Sequence, residues 1–335
     1  MRAWRPASTG AKSWFSSRWS TAARFLSYPS NNQAMSVTCT RCNSRQSSYF
    51  RPYSGERLCP GCFNETLRDR VKRTINKYKM FGYDSRIAVG VSGGKDSLAM
   101  LRLLHEIEAR QPKAELIAVC IDEGVSGYRD EALRLAEKNC KELDVEMRVL
   151  SFKDLFDETM DEIAVKDREL GACSYCGVFR RRALNEAAKM VDADRLATGH
   201  NLDDMAQSVL LNVLRGDIKR IRAFNPGGHR LGEYVRRVKP MCEVPEKETS
   251  YYAFINGLEF QSLPCPYADE AMRNDARRFL NQMEHKRPGT KFTLYQTGLR
   301  IRGEEEVGVV VNSCRVCGAP TTGDVCRTCQ LSGRV

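Results

Sequence analysis

The most constraining feature of this 335-residue chain is a glycine- and serine-rich loop between a strand pattern and a helix pattern. A short apolar run, Arg86–Val91, leads directly into the hexapeptide Ser92–Ser97 (SGGKDS), and an apolar helical pattern follows from Leu98 to Ala109. The two glycines let backbone N–H groups approach an oxyanion, and the helix adds its positive N-terminal end. With the ammonium group of Lys95, this loop predicts a phosphate cradle.

The cradle is not a Walker A loop. That motif needs a glycine five residues before its Gly-Lys pair and a Ser or Thr after the lysine. Val89 occupies the glycine position here, and Asp96 follows Lys95.

Strand and helix patterns alternate along the middle of the chain. The further predicted strands are Glu115–Ile121, Val145–Leu150 and Arg195–Thr198, with helices at about residues 65–81, 128–143 and 153–166. Such alternation implies right-handed crossovers, so we expect an α/β fold with a mostly parallel sheet. Ligands of such sheets bind at the carboxyl ends of the strands. Both Ser92–Ser97 and a second polar loop, Gly199–Asp204, follow strand patterns and should lie there.

The second loop, Gly199–Asp204 (GHNLDD), starts a predicted helix, where the helix dipole stabilises carboxylates. Asp204 is a candidate to hold magnesium or to act where a nucleotide meets its substrate. The alternative is that Asn201 caps the helix and the acids are solvated. His200 is either a structural histidine or a functional one at the end of a strand.

Two doubled Cys-x-x-Cys sequences bracket the chain, with spacings typical of zinc sites. The pairs are 16 residues apart near the N-terminus and eight apart near the C-terminus. A tight turn brings both sulfurs of a pair to one face, and four thiolates leave no open position, which indicates structural metal. Disulfides or redox motifs are the alternative. The predicted zinc ligands are Cys39, Cys42, Cys59 and Cys62, and Cys314, Cys317, Cys326 and Cys329.

Three further cysteines form a separate candidate group. Cys173 and Cys176 precede a basic helix start, and Cys265 lies in a Pro-Cys-Pro sequence. Three thiolates can hold an iron–sulfur cluster and leave one iron free to carry a sulfide. The alternatives are transfer of sulfur through a cysteine persulfide without a cluster, and an ordinary zinc or disulfide site.

The formal net charge is +11, and the excess that remains beyond the N-terminal segment predicts either a polyanionic partner such as nucleic acid or simply a soluble basic protein. Five of the basic residues and no acid lie in residues 1–34, a basic leader that is either an organelle transit peptide or an upstream extension before Met35. No stretch of 18 apolar residues exists, so we expect no membrane span. The predicted domains are residues 35–65 and 308–335 as zinc ribbons and residues 66–300 as the central domain.

Together these segments resemble the PP-loop tRNA thiolases, the family of the cytoplasmic tRNA 2-thiolation proteins 1. The resemblance runs from about Cys39 to Leu331, and the shared order of its segments is more specific than any one of them. The matching segments are the two cysteine quartets, Ser92–Ser97, Ile121–Gly124, Gly127–Asp130, Cys173–Arg182, Gly199–Asp217 and Cys265–Ala268. The basic leader is the main departure, and it bears on location rather than on chemistry.

The resemblance implies a parallel-sheet PP-loop ATPase domain of the adenine nucleotide alpha hydrolase type, flanked by N- and C-terminal zinc ribbons. It implies a transferase that adenylates the 2-oxygen of the wobble uridine in tRNAs for Lys, Glu and Gln, after which sulfur displaces AMP. The implied cofactors are ATP, Mg²⁺, two structural Zn²⁺ ions and a [4Fe-4S] cluster.

The implied partners are tRNA, a ubiquitin-related sulfur carrier with a C-terminal thiocarboxylate and a tRNA 2-thiolation protein 2 subunit, with a homodimer as a further assembly. The implied location is the cytoplasm, or the mitochondrion if residues 1–34 are a transit peptide.

Residue roles follow by matching positions. The implied ATP-binding residues are Ser92, Gly93, Gly94, Lys95, Asp96, Ser97, Asp122, Gly199 and His200. The implied catalytic residues are Lys95, Asp204 and the cluster ligands Cys173, Cys176 and Cys265. From their charge we expect tRNA contacts at Arg180, Arg181, Arg182, Lys219, Arg220, Arg222, Arg236, Arg237 and Lys239, although solvated basic faces are the alternative for each.

Three other functions compete with this hypothesis. A PP-loop enzyme with an amine nucleophile, of the lysidine synthetase type, would not need the three central cysteines. A thiolase for another tRNA base would share the whole pattern. A zinc-ribbon RNA-binding protein with an inactive ATP fold is disfavoured by the intact Lys95, Asp96 and Asp204.

Overall fold

The computed structural model describes residues 37–108, 113–166, 170–229, 232–268, 273–302 and 311–333. The predicted leader, residues 1–34, lies outside the described residues, and so do the outer ends of both predicted ribbons. Within the described part of the chain, no helix is long and apolar enough to cross a membrane.

Nine strands and twelve helices are described in these ranges. The strands are β1 (Tyr49–Phe50), β2 (Arg57–Leu58), β3 (Arg86–Gly90), β4 (Glu115–Asp122), β5 (Met147–Ser151), β6 (Arg195–Thr198), β7 (Arg236–Val238), β8 (Asn312–Ser313) and β9 (Pro320–Thr321). The helices are α1 (Pro60–Lys77), α2 (Lys95–Glu108), α3 (Arg129–Glu142), α4 (Phe152–Phe156), α5 (Met160–Ala164), α6 (Ala172–Met190), α7 (Leu202–Leu214), α8 (Ile218–Arg222), α9 (Glu246–Ile255), α10 (Arg273–Lys286), α11 (Thr290–Arg302) and α12 (Arg327–Leu331).

Five parallel strands form the central sheet in the order β5-β4-β3-β6-β7, which confirms the predicted α/β class. The chain moves outward from β3 through β4 to β5 and then returns to the other side of β3 with β6. Gly90 at the end of β3 pairs with both Val119 and Thr198. The carboxyl ends of β3 and β6 are therefore level, and the loops that follow them meet at the point where the strand order reverses.

Alternate residues of the central strands point to opposite faces of the sheet, and each face carries its own core. Ile87 and Val89 pack into a core with α1, α2 and α7, whereas Ala88 packs into a second core. The second core contains Phe152, Phe156 and Phe179, whose rings contact one another. This two-sided burial explains the continuous apolar runs of the strands.

Two predictions of secondary structure differ from the structure. The helix predicted over residues 153–166 is wrong, because Asp157 has a left-handed φ of 62° and ends α4, and Thr159 starts α5 with a capping box to Glu162. The short strand β7 was not predicted. It begins with two arginines and has no apolar pattern of its own, so it forms by pairing with β6.

A buried ion cluster ties the N-terminal cysteine segment to the central domain. Glu248 on α9 is fully buried, and it accepts hydrogen bonds from Arg51 at 3.0 Å, from Arg70 at 3.2 Å and from the hydroxyl of Tyr53. Arg51, in the hairpin segment between β1 and β2, is only 2% exposed. Because α9 also borders the Ser92–Ser97 loop, this cluster links the cysteine-rich segment to the predicted cradle.

We predict that Glu248→Gln lowers the free energy of unfolding by about 3–5 kcal/mol, because the largely buried Arg70 loses its counter-charge and the buried Arg51 keeps only the more exposed Glu56. Glu65→Gln is the control, since Glu65 pairs with Arg41 while half exposed, and its loss should cost under about 1 kcal/mol. Urea denaturation of zinc-loaded protein measures both. Equal losses in the two variants would contradict the role given to the buried cluster.

Candidate active site

The Ser92–Ser97 loop is held open by its own side chains. The Ser92 amide donates to the Ser97 hydroxyl at 3.0 Å, and that hydroxyl donates to the Gly94 carbonyl at 2.9 Å. Gly93 has a φ of +79°, and a Cβ there would lie 2.2 Å from the carbonyl oxygen of Ala132 on α3. Only glycine therefore fits at this position between the loop and α3.

Lys95 lies between two carboxylates at this loop. Its ammonium group is 2.7 Å from Asp96 and 2.8 Å from Glu246, the first residue of α9. Burial lowers the pKa of Lys95, but the two carboxylates outweigh it and raise the pKa overall. Lys95 is therefore a cation at neutral pH. Its two carboxylate partners hold the ammonium group beside the loop, where an incoming phosphate would bind.

The second loop packs directly on the first. A Cβ at Gly199 would lie 3.1 Å from the backbone of Ser97. The side-chain amide of Asn201 donates a hydrogen bond to the Asp96 carboxylate at 3.1 Å. Asn201 also caps α7 in a capping box with Asp204, as one alternative predicted. Asp204 is not merely solvated, because Arg273 donates to its other oxygen at 3.2 Å.

Asp204 lies in a field of like charges. Burial raises its pKa, Asp96 and Glu246 raise it further, and Arg273 opposes them. The three carboxylates therefore share one region beside Lys95. Carboxylate oxygens are the ligands that Mg²⁺ prefers in proteins.

His200 faces outward at the edge of this region. Its ring is exposed, and Nδ1 is 3.0 Å from the hydroxyl of Thr198. Partial desolvation in the cleft lowers the pKa of His200, and the nearby cations Lys239 and Arg237 lower it further. The imidazole is thus neutral at pH 7, and the ring is not packed as a structural core histidine would be.

The structure brings the three central cysteines toward this edge of the sheet. Cys173 and Cys176 lie in the first turns of α6, and the Cys173 thiol donates to the carbonyl of Tyr267 at 3.0 Å. The segment from Gln261 to Tyr267, which carries Cys265, begins with a hydrogen bond of 2.8 Å from the Gln261 amide to the Gly93 carbonyl. One short segment therefore bridges the predicted cradle and the cysteine helix.

Known proteins match the chain over most of its length. Residues 64–284 match the family model of the PP-loop domain. The tRNA 2-thiolation protein NcsA of Haloferax volcanii is 36% identical over 88% of this chain and 98% of its own length. The cytoplasmic tRNA 2-thiolation protein 1 of Danio rerio is 34% identical over 89% of this chain and 88% of its own. The chain belongs to the PP-loop family of tRNA 2-thiolation proteins.

A solved structure agrees with this assignment. The U34-tRNA thiolase NcsA from Methanococcus maripaludis, solved with its [4Fe-4S] cluster, superposes with a TM-score of 0.79 at 32% identity. The match covers 90% of this chain and 97% of that one. The resemblance stated from the sequence is thereby confirmed.

Both terminal quartets bring their sulfur atoms together. Within each quartet all four sulfur atoms lie within 4.8 Å of one another, and none is in a disulfide. In the C-terminal quartet the Cys326 amide donates to the Cys314 sulfur at 3.2 Å. Among the described residues no third group of metal-binding side chains comes so close together, and this includes the central trio. The quartets are arranged to surround one metal ion each.

The basic residues expected to contact tRNA differ in their hydrogen-bond and ion-pair partners. Arg180 pairs with Glu123 at 2.8 Å and donates to the Cys176 sulfur, so it belongs to the cysteine site. Arg182 contacts the C-terminal quartet. Arg220 pairs with Asp217, Arg236 donates to the Gly227 carbonyl, and Arg237 donates to the Arg181 carbonyl at 3.1 Å. Lys219 and Arg222 are exposed on α8.

Four groups at the site were missed from the sequence. Glu246 and Arg273 hold Lys95 and Asp204, Gln261 anchors the Cys265 segment, and Glu123 holds Arg180. Glu123 directly follows Asp122, a predicted nucleotide residue at the end of β4, so its place could have been predicted. The others lie outside any chemical motif and reach the site only through folding.

We predict that Gly93→Ala abolishes binding of inorganic pyrophosphate, because the new Cβ collides with Ala132 and displaces the loop. Gly127→Ala is the matched control. Gly127 also has a positive φ, +70°, but no atom lies within 4 Å of its added Cβ. Calorimetry of both folded variants measures the effect, and retained binding in Gly93→Ala would show that the loop is not the cradle.

Proposed function

We propose that this chain catalyses ATP-dependent 2-thiolation of the wobble uridine, U34, of tRNA. The observation that carries the proposal is the bridge from Gly93 to Cys173 through the Gln261–Tyr267 segment, which joins a nucleotide loop to a thiol site. Family membership supports the reaction, since the relatives are named for tRNA 2-thiolation.

In the proposed reaction the uridine 2-oxygen attacks the α-phosphorus of ATP, and pyrophosphate leaves. A sulfur nucleophile then adds at C2, and AMP leaves with the original oxygen. The Ser92–Ser97 amides and Lys95 stabilise the charge on the departing pyrophosphate. Lys95 exchanges a carboxylate partner for phosphate as ATP binds. The adenylate makes a poor leaving group into a good one, which explains why a nucleotide site and a sulfur site must be neighbours.

Other predicted nucleotide-binding residues have supporting positions. Asp122 accepts the Gly124 amide at 2.9 Å at the end of β4, and Gly199 closes against Ser97. Neutral His200 is available to accept or donate one hydrogen bond at the rim. The oxygens of Asp96, Asp204 and Glu246 are the donors that would hold Mg²⁺.

The cysteine trio fits a [4Fe-4S] cluster in its donor chemistry. Cys173, Cys176 and Cys265 are all half-buried, and none is in a disulfide. Burial raises the pKa of the Cys176 thiol, and the contact with Arg180 opposes that rise. A cluster with three cysteine ligands supplies one open iron that can bind sulfide. Each terminal quartet would hold one structural Zn²⁺.

The proposal also covers the tRNA substrates, the sulfur donor, the partner subunit and the location in the cell. The substrates are the tRNAs for Lys, Glu and Gln, and sulfur comes from a ubiquitin-related carrier bearing a thiocarboxylate. A tRNA 2-thiolation protein 2 subunit is the expected partner, and the protein works in the cytoplasm, as the relatives' names support. The mitochondrial alternative for residues 1–34 and the homodimer both stay predictions.

The deciding experiment is thiolation of defined tRNAs by anaerobically prepared protein with ATP and sulfide. We expect Lys95→Ala to abolish tRNA-dependent AMP release, and Cys173→Ser to retain AMP release but form no 2-thiouridine. Cys140→Ser is the control, because Cys140 is buried on α3 outside the trio. Full activity of Cys173→Ser would favour a PP-loop enzyme that uses an amine nucleophile. Thiolation at another base would show that U34 is not the target.

Three cations beside the site have no acidic partner among the described residues. They are Arg181, Arg237 and Lys239, and the buried Nε of Arg237 also lacks a hydrogen-bond partner. Grouped cations without counter-charges repel one another, so an incoming phosphate relieves that repulsion. We propose that these three cations bind the phosphates of the RNA backbone next to U34.

We predict that affinity for an anticodon stem-loop falls as pH rises above about 8. Burial and Arg237 lower the pKa of Lys239 to about 8, and bound phosphate stabilises its charged form, so binding then requires proton uptake. Fluorescence anisotropy from pH 7 to 9.5 should show up to about a tenfold loss per pH unit. Lys239→Arg should remove this pH dependence; an unchanged profile in that variant would exclude Lys239 as its source.

A further inference from the structure

The helix that carries two of the central cysteines also contacts the C-terminal quartet. Six residues beyond Cys176, Nη1 of Arg182 lies 2.9 Å from the Cys317 sulfur and 3.5 Å from the Cys326 sulfur. Those two sulfurs are 3.6 Å apart, so one nitrogen of the guanidinium contacts a sulfur from each Cys-x-x-Cys pair. α6 is therefore the structural element shared by both cysteine sites.

Two further contacts between the ribbon (described over residues 311–333) and the described part of the central domain involve no charged side chain. The Tyr234 hydroxyl donates to the Pro320 carbonyl at 2.6 Å, and Leu331 packs against the core that contains Phe179. Among the described residues, Arg182 is the cation of the central domain that contacts the quartet's sulfurs. It was expected on the tRNA surface because it belongs to the Arg180–Arg182 run.

Four thiolates around one divalent cation carry two net negative charges, which are costly to hold against a protein surface. A guanidinium that donates to such thiolates makes charge-assisted hydrogen bonds and offsets one of those charges. Groups that hydrogen-bond to metal ligands also fix the ligands' orientation and raise metal affinity. Protonated thiols of a metal-free quartet would attract Arg182 much less.

We propose that Arg182 binds the metal-loaded C-terminal ribbon to α6, so that metal in the quartet anchors the ribbon to the helix bearing Cys173 and Cys176. The proposal needs metal in the quartet but does not depend on thiolation activity. Arg182 is a positioning residue in this scheme, and it acts through the sulfur atoms of Cys317 and Cys326.

The test uses full-length, zinc-loaded protein with Arg182→Met, Arg182→Lys and Arg315→Met. Arg315 is the matched control, because it is an exposed cation inside the same Cys314–Cys317 knuckle with no contact to sulfur among the described residues. Native mass spectrometry during titration with EDTA counts the zinc ions retained, and hydrogen exchange is followed in peptides covering residues 311–333 and 178–190.

We expect Arg182→Met to lose one of its two zinc ions at about tenfold lower EDTA than wild type. Amide exchange should rise in both peptides, and Arg182→Lys should recover part of each change. Arg315→Met should behave as wild type. Equal zinc retention and equal exchange in Arg182→Met and Arg315→Met would overturn the proposal. If Arg182→Met does not fold, Arg182→Gln takes its place, and wild-type zinc retention in that variant at every EDTA concentration would also overturn the proposal, since a neutral amide offsets no thiolate charge.

Discussion

The rest of the site depends on one backbone hydrogen bond, from the Gln261 amide to the Gly93 carbonyl at 2.8 Å. Gly93 is fixed from the other side by α3, so its carbonyl can serve as a rigid anchor. The segment that starts at Gln261 carries Cys265 and ends against Cys173. Because a main-chain bond does not depend on side-chain rotamers, the spacing between the phosphate loop and the thiols is set by the fold itself.

Charge is divided across this anchor in a way that suits a two-step reaction. On one side, Asp96 and Glu246 pair with Lys95 and Asp204 lies near both carboxylates, an arrangement that favours a cation-bridged phosphate. On the other side, Arg181, Arg237 and Lys239 form no ion pair with the described residues, and such grouped cations favour a polyanion. Neutral His200 lies near Lys239 and Arg237, where a charged imidazole would add to the repulsion.

The sequence alone was sufficient to predict those parts of the site that are formed by short, continuous segments. Ser92–Ser97 and Gly199–Asp204 each lie between a strand and a helix, so parallel-sheet geometry alone places them together. Glu246 and Arg273 could not be found in that way, because they come from helices whose packing is set by side chains far along the chain. Arg182 lies in a run of basic residues, which by itself predicts a cation that faces solvent. Its position on α6 instead directs its guanidinium toward the Cys317 sulfur.

The two cysteine ribbons are consequently more than attachments to an ATP-binding domain. The N-terminal one continues into α1 through Cys59 and Cys62, and Arg51 there pairs with Glu248 on the helix whose first residue holds Lys95. The C-terminal one contacts the helix that carries the thiols. Each ribbon thus bears on a different half of the chemistry, the first on nucleotide binding and the second on sulfur. Metal in both quartets, as proposed, would stabilise each ribbon beside its reactive centre, because the free energy of metal binding contributes to folding.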